Sequence, residues 1–137
     1  MDKAILPKGY TSLHEGKVHG VRVLLWGDET KKTAVYKFFD GLEGQEADDS
    51  LEDLKASFEF IDQFFPDYLH PSKFKPMGEE VFWEVKGGDQ LRFASIWDKN
   101  RTLILIYGLW KKDRRWRKED LQKARAQYKL YQKERKC

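Results

Sequence analysis

Three apolar runs in the second half of the chain are joined by connectors too short to hold anything but a turn. VFWEVK (residues 81–86), QLRFASIW (90–97) and TLILIYGLW (102–110) are separated only by GGD and DKNR. Connectors of three or four residues containing Gly or Asn, which accept positive φ, join neighbouring antiparallel strands. The segment therefore reads as an antiparallel meander of three strands, with a short fourth near SKFKPM. Such a block must bury a face against another layer, either helices or a second sheet.

The first half supplies helices. VHGVRVLLW (18–26) is rich in Val and Leu and reads as a strand, with Gly20 a possible irregularity. AVYKFFDGL (34–42) reads as a short helix stopped by Gly41 and Gly44, and QEADD as an acidic loop. Ser50 and Asp53 then resemble a capping box, and Leu51, Leu54, Phe58, Ile61 and Phe65 recur at spacings of three and four up to Pro66. That stripe is read as core. At the other end, residues 117–136 place Leu121, Ala124, Tyr128 and Tyr131 on one helical face, with Glu119 and Asp120 in the first turn.

The expected architecture is one α+β domain: an N-terminal strand, two helices, a meander of three to four antiparallel strands and a C-terminal helix. Residues 1–17, with Pro7, Gly9 and Gly16, are read as an arm or loop before a domain spanning 18–137. A chain of 137 residues that is 40% hydrophobic has material for one core, which argues against disorder despite 36% charged residues. No apolar run approaches the length of a membrane span, and the N-terminal residues lack the apolar region of a signal peptide. The one cysteine, Cys137, allows no intramolecular disulfide. A cytoplasmic protein with no membrane partner is expected.

Charge is distributed unevenly. Residues 1–70 carry 8 Lys and Arg against 14 Asp and Glu, a net −6, whereas residues 71–137 carry 18 against 9, a net +9. The basic excess peaks in LWKKDRRWRKED (109–120), directly after the last apolar run. Such a connector suits a polyanion or an acidic partner. Metal chemistry has little support: His14 and His19 fall in the loop-like N-terminal part, and His70 stands alone before Pro71. No Gly-rich phosphate loop or Cys–His pair is present, and no cofactor is expected.

Several pieces in order now carry a resemblance: Trp83-Glu84-Val85-Lys86, a turn, Arg92 on the next strand, Tyr107-Gly108-Leu109-Trp110-Lys111-Lys112, and a helix with Ala124 and Arg125. Together with the N-terminal strand and AVYKFFDGL, they resemble the RelE/ParE toxin superfamily over about residues 18–131, most closely its phage-derived, HigB-like branch. The resemblance implies a RelE-like fold and the toxin of a type II toxin–antitoxin system, cleaving mRNA on the ribosome. It also implies a cognate antitoxin, commonly of helix-turn-helix type.

Metal-free RNA cleavage needs a base for the 2′-OH, an acid for the leaving 5′-oxygen and cations around the phosphate. By position in the resemblance, Arg92 is the phosphate-contacting arginine, Lys86 a candidate base, and Lys111 and Lys112 further phosphate-binding cations. Tyr107 stands where many relatives have a histidine and is the candidate acid. Lys73, Lys75, Arg114, Arg115, Trp116 and Arg117 are expected to contact RNA. Each has a plainer reading as well. Arg92 can form a cross-strand salt bridge to Glu84, Lys86 can be a solvated strand end, and Tyr107 can pack inside the sheet. Trp116 and Arg117 replace the Thr and Pro often found before the last helix, and Trp116 or Trp110 can stack on a base or contact the antitoxin. Two other functions stay open: a ParE-like, non-enzymatic inhibitor of DNA gyrase, and a regulatory nucleic-acid-binding module with a degenerate site.

Overall fold

The computed structural model describes residues 6–65, 71–78, 80–110 and 116–136. The apolar run at 102–106 occupies the middle of a six-stranded mixed sheet. The strands are β1 (Tyr10–Glu15), β2 (Arg22–Trp26), β3 (Phe74–Pro76), β4 (Trp83–Gly87), β5 (Leu91–Asp98) and β6 (Thr102–Trp110), in the order β1-β2-β6-β5-β4-β3. Because β6 is covered on both faces, Leu103, Ile104, Leu105 and Ile106 are all buried, so its sequence is continuously apolar rather than alternating. β4, β5 and β6 form the expected antiparallel meander, and β3 adds the short strand near SKFKPM. β2 returns alongside β6 in parallel, which makes the sheet mixed.

Two helices, α1 (Ala34–Asp40) and α2 (Gln45–Phe64), lie on one face. Glycine lets them come close. A Cβ on Gly87 would lie 2.8 Å from the Ser50 carbonyl oxygen of α2, and one on Gly108 would lie 2.6 Å from the Phe93 ring and 2.7 Å from Phe38 of α1. Ser57 of α2 also donates to the Lys86 carbonyl at 2.6 Å. The third helix, α3 (Lys118–Lys136), covers part of the other face. Its Ala124 and Tyr131 are buried, with Leu121 and Tyr128 half-buried on the same stripe, and Tyr131 packs edge-on against Trp26. Among the described residues no helix is long and apolar enough to cross a membrane.

Three expectations need correction. The described residues form six strands rather than four or five, because Tyr10–Glu15, within the segment read as an arm, pairs with β2. The 18–26 strand begins only at Arg22: Gly20 turns at φ 71°, and the amides of Val18, His19 and Val21 donate to the Asp62 carboxylate of α2 instead of a strand. Helix α2 starts at Gln45, so QEADD is its first turns and Ser50 lies inside it. Gly44 caps the helix without a side-chain hydrogen bond, and Glu46 and Asp48 sit at its positive end.

Candidate functional site

Strand alternation decides which residues meet. Glu84 and Lys86 point to one face of β4, and the register sets Glu84 opposite Ala94 and Lys86 opposite Arg92. Ala94 is in turn opposite Tyr107 on β6, while Lys75 on β3 faces Glu84 from the other side. Lys75, Glu84, Lys86, Arg92 and Tyr107 therefore share one face, the one that α3 covers further along the sheet.

At the centre is a carboxylate that the sequence reading placed in the resembling motif and as a salt-bridge partner of Arg92, but not among the site residues. Glu84 is 1% exposed. Its Oε2 accepts from the Trp116 indole N–H, and Arg92 Nε stands 3.9 Å from the same oxygen. Lys86 Nζ and Lys75 Nζ approach Oε1 to 3.7 and 3.8 Å, outside hydrogen-bond range, and among the described residues that buried oxygen accepts no hydrogen bond. Among the described residues three cations stand around this one carboxylate, with the charge of Asp89 also acting on Arg92. The signal for Glu84 was present in the sequence, as an acid in an apolar strand two positions from a lysine on the same face.

Arg92 is built into the hairpin. Its guanidinium folds back over the β4–β5 turn, with Nη1 donating to the carbonyls of Gly88 and Leu91 at 2.7 and 2.9 Å and Nη2 to Asp89 at 2.6 Å. Three of its five N–H groups are thereby committed to backbone oxygens. Burial lowers its pKa, opposed by Glu84 and Asp89, but a guanidinium stays charged regardless. Its charge reaches the site while most of its fork does not.

Lys86 differs. Its side chain is 18% exposed. Burial pushes its pKa down, Glu84 pulls it up, and the charges of Lys75 and Arg92 push it down further, with a net lowering. Lys75 is the more exposed neighbour, at 42%. Tyr107 is half-buried with its ring centroid 6.3 Å from that of Trp116, and burial followed by the Asp120 charge raises its pKa. Its phenol therefore holds its proton at neutral pH.

The structure brings Lys75, Lys86, Arg92 and Trp116 together around Glu84, and places Tyr107 on the same face two strands away, beyond Ala94 and beside Trp116. Lys73 is the next residue along the edge, its carbonyl accepting from the Lys86 amide at 2.9 Å. Arg117 is exposed at the entry to α3, where its carbonyl accepts from the Leu121 amide at 3.0 Å. Lys111, Lys112, Arg114 and Arg115 lie outside the described residues; Trp110 and Trp116 flank that segment in the chain. Among the described residues no group of three or more His, Cys, Asp or Glu is gathered as a metal site. Compared with known proteins, the chain matches no family model and no curated protein.

Proposed function

We propose that the Glu84-centred cluster is an RNA-backbone site, and that the protein is a RelE-like toxin cleaving mRNA on the ribosome. The observation that carries this reading is Lys86: a largely buried lysine with a lowered pKa, beside two other cations, on the face shared with a tyrosine that keeps its proton. In the proposed reaction Lys86 acts from its deprotonated fraction, which the lowered pKa enlarges, and takes the proton of a ribose 2′-OH. The 2′-oxygen attacks the adjacent phosphorus, the bond from phosphorus to the 5′-oxygen breaks, and the Tyr107 phenol donates its proton to the departing oxygen. The products are a 2′,3′-cyclic phosphate and a 5′-hydroxyl. Lys75, with help from the field of Arg92, offsets charge developing on the phosphoryl oxygens. Glu84 holds the cations in place, and Trp116 anchors the start of α3 to it.

The proposed partners are the ribosome with its mRNA and a cognate antitoxin, of helix-turn-helix type in this reading. One observation favours the degenerate binding module: the hairpin carbonyls occupy most of the Arg92 fork, which weakens its use as a phosphate clamp.

The test is incubation of the purified protein with ribosomes programmed with a defined mRNA, with free mRNA, and with gyrase in a supercoiling assay. Primer extension is expected to show cuts in the A-site codon that weaken in Tyr107→Phe and vanish in Lys86→Ala. Folded protein that leaves RNA intact but blocks supercoiling would replace this reading with the ParE-like one. Inactivity in both assays with retained RNA binding would leave the module.

A further inference from the structure

Between the proposed base and acid the sheet offers one shallow seat. Glu84, Ala94 and Tyr107 stand side by side on β4, β5 and β6, and in the middle of that row Ala94 brings only a methyl group. Ala94 is nonetheless fully buried. The indole of Trp116 spans the row: its N–H donates to Glu84 Oε2 at one end, and its ring stands 6.3 Å from the Tyr107 ring at the other. It therefore lies across the Ala94 position. Lys86 is the next residue along that face of β4, opposite Arg92, and Tyr107 is two strands away. A phosphodiester touched by both side chains has to enter the space that the indole fills.

We propose that Trp116 is a gate on the site, closed in this structure, and that RNA enters when the indole leaves Glu84; this rests on reading the Glu84 cluster as an RNA-backbone site. Two features make the contact exchangeable. Trp116 belongs to neither strand nor helix, so its side chain can swing away without breaking a ladder or helix hydrogen bond. Glu84 also has substitutes at hand. Arg92 Nε stands 3.9 Å from the oxygen that the indole holds, and it is separate from the two nitrogens that Arg92 commits to the hairpin carbonyls. Lys86 and Lys75 stand 3.7 and 3.8 Å from the other oxygen. A shift of about 1 Å brings any of these cations into hydrogen-bond range, so the buried carboxylate is not stranded when the indole departs. The site thus has two arrangements, one with the indole on Glu84 and one with the cations closed in. The closed arrangement lowers the apparent affinity for RNA in proportion to how rarely the site is open.

The test follows the Trp116 indole N–H in ¹⁵N-labelled full-length protein titrated with a 2′-O-methyl oligouridylate, which lacks the attacking hydroxyl. The resonance is assigned by its loss in Trp116→Phe. Binding is expected to move it toward the position of a solvated indole. Trp116→Phe keeps an aromatic ring and loses the bond to Glu84. It should bind the oligonucleotide about threefold or more tighter than wild type, and cleave free mRNA faster by a similar factor. The gate is overturned if the oligonucleotide shifts the amides of Lys75, Lys86 and Arg92 while the indole resonance stays in place. It is equally overturned if Trp116→Phe binds and cleaves no better than wild type. An indole that moves on binding, with no cleavage by either protein, would uphold the gate and sink the nuclease reading. If neither protein binds the oligonucleotide, the RNA-site reading and the gate fall together.

Discussion

Glu84 and Asp62 are two buried carboxylates whose partners define their roles. Glu84 neutralises part of a cationic cluster, so Glu84→Ala strands Lys86 and Arg92 next to an unanswered indole N–H. Breaking a buried ion pair from one side costs about 3 kcal/mol or more, and because Lys75 is substantially exposed the lower end is expected, read as a fall in the urea midpoint. Asp62 instead gathers three backbone amides, at 2.8, 3.1 and 2.9 Å. Burial opposes its ionisation, but those hydrogen bonds outweigh it and hold the carboxyl below the usual carboxylate range. A depressed folded pKa means its stabilisation is present above the ordinary aspartate pKa and is lost as pH falls through the folded one. Asp62→Asn should therefore cost roughly 2 kcal/mol at neutral pH, and the gap from wild type should narrow in acid, as measured by urea unfolding at several pH values. Lys86, Arg92 and Tyr107 were named by their positions in the resemblance, but that they share one face depends on the strand register, which alternation within each strand does not give. The folding back of the Arg92 fork was not legible either, because it depends on where the hairpin carbonyls point.

At the scale of elements, the meander was legible because its connectors admit only turns. Gly88 (φ 75°) and Asn100 (φ 58°) take the positive φ those turns need, and Arg101 (φ 56°) does so as well, held by its bonds to the 19–22 segment. Boundaries in the first half were less legible. Asp62 competes for the amides of 18–21 from more than forty residues away, and the start of α2 has no side-chain cap to announce it. Strand β1 was missed because its inward residues alternate weakly and a register shift falls between Ser12 and His14. The contact between α2 and β4 depends on Gly87, where an added methyl meets the Ser50 carbonyl at 2.8 Å and Leu54 at 3.1 Å. Gly87→Ala should destabilise by about 1–3 kcal/mol, seen as a lower Tm. Gly108→Ala, which presses on Phe38 and Phe93, should do the same through α1.

For the whole molecule, the uneven charge of the two halves acquires a spatial meaning. The basic second half supplies β3 to β6 and α3, so Lys73, Lys75, Lys86, Arg92 and Arg117 all come from it, while the acidic first turns of α2 belong to the half that covers the other face. Binding to RNA through such a surface weakens steeply with salt. The central claim, that Lys86 is the base in a 2′-OH cleavage, is tested most directly by single-turnover cleavage on programmed ribosomes across pH. Wild type should cut faster as pH rises, levelling off below the ordinary lysine pKa of about 10.4. Lys86→Ala should lose roughly a hundredfold or more in rate together with that rise. Cleavage by Lys86→Ala at the wild-type rate, with the same pH profile, would contradict the account.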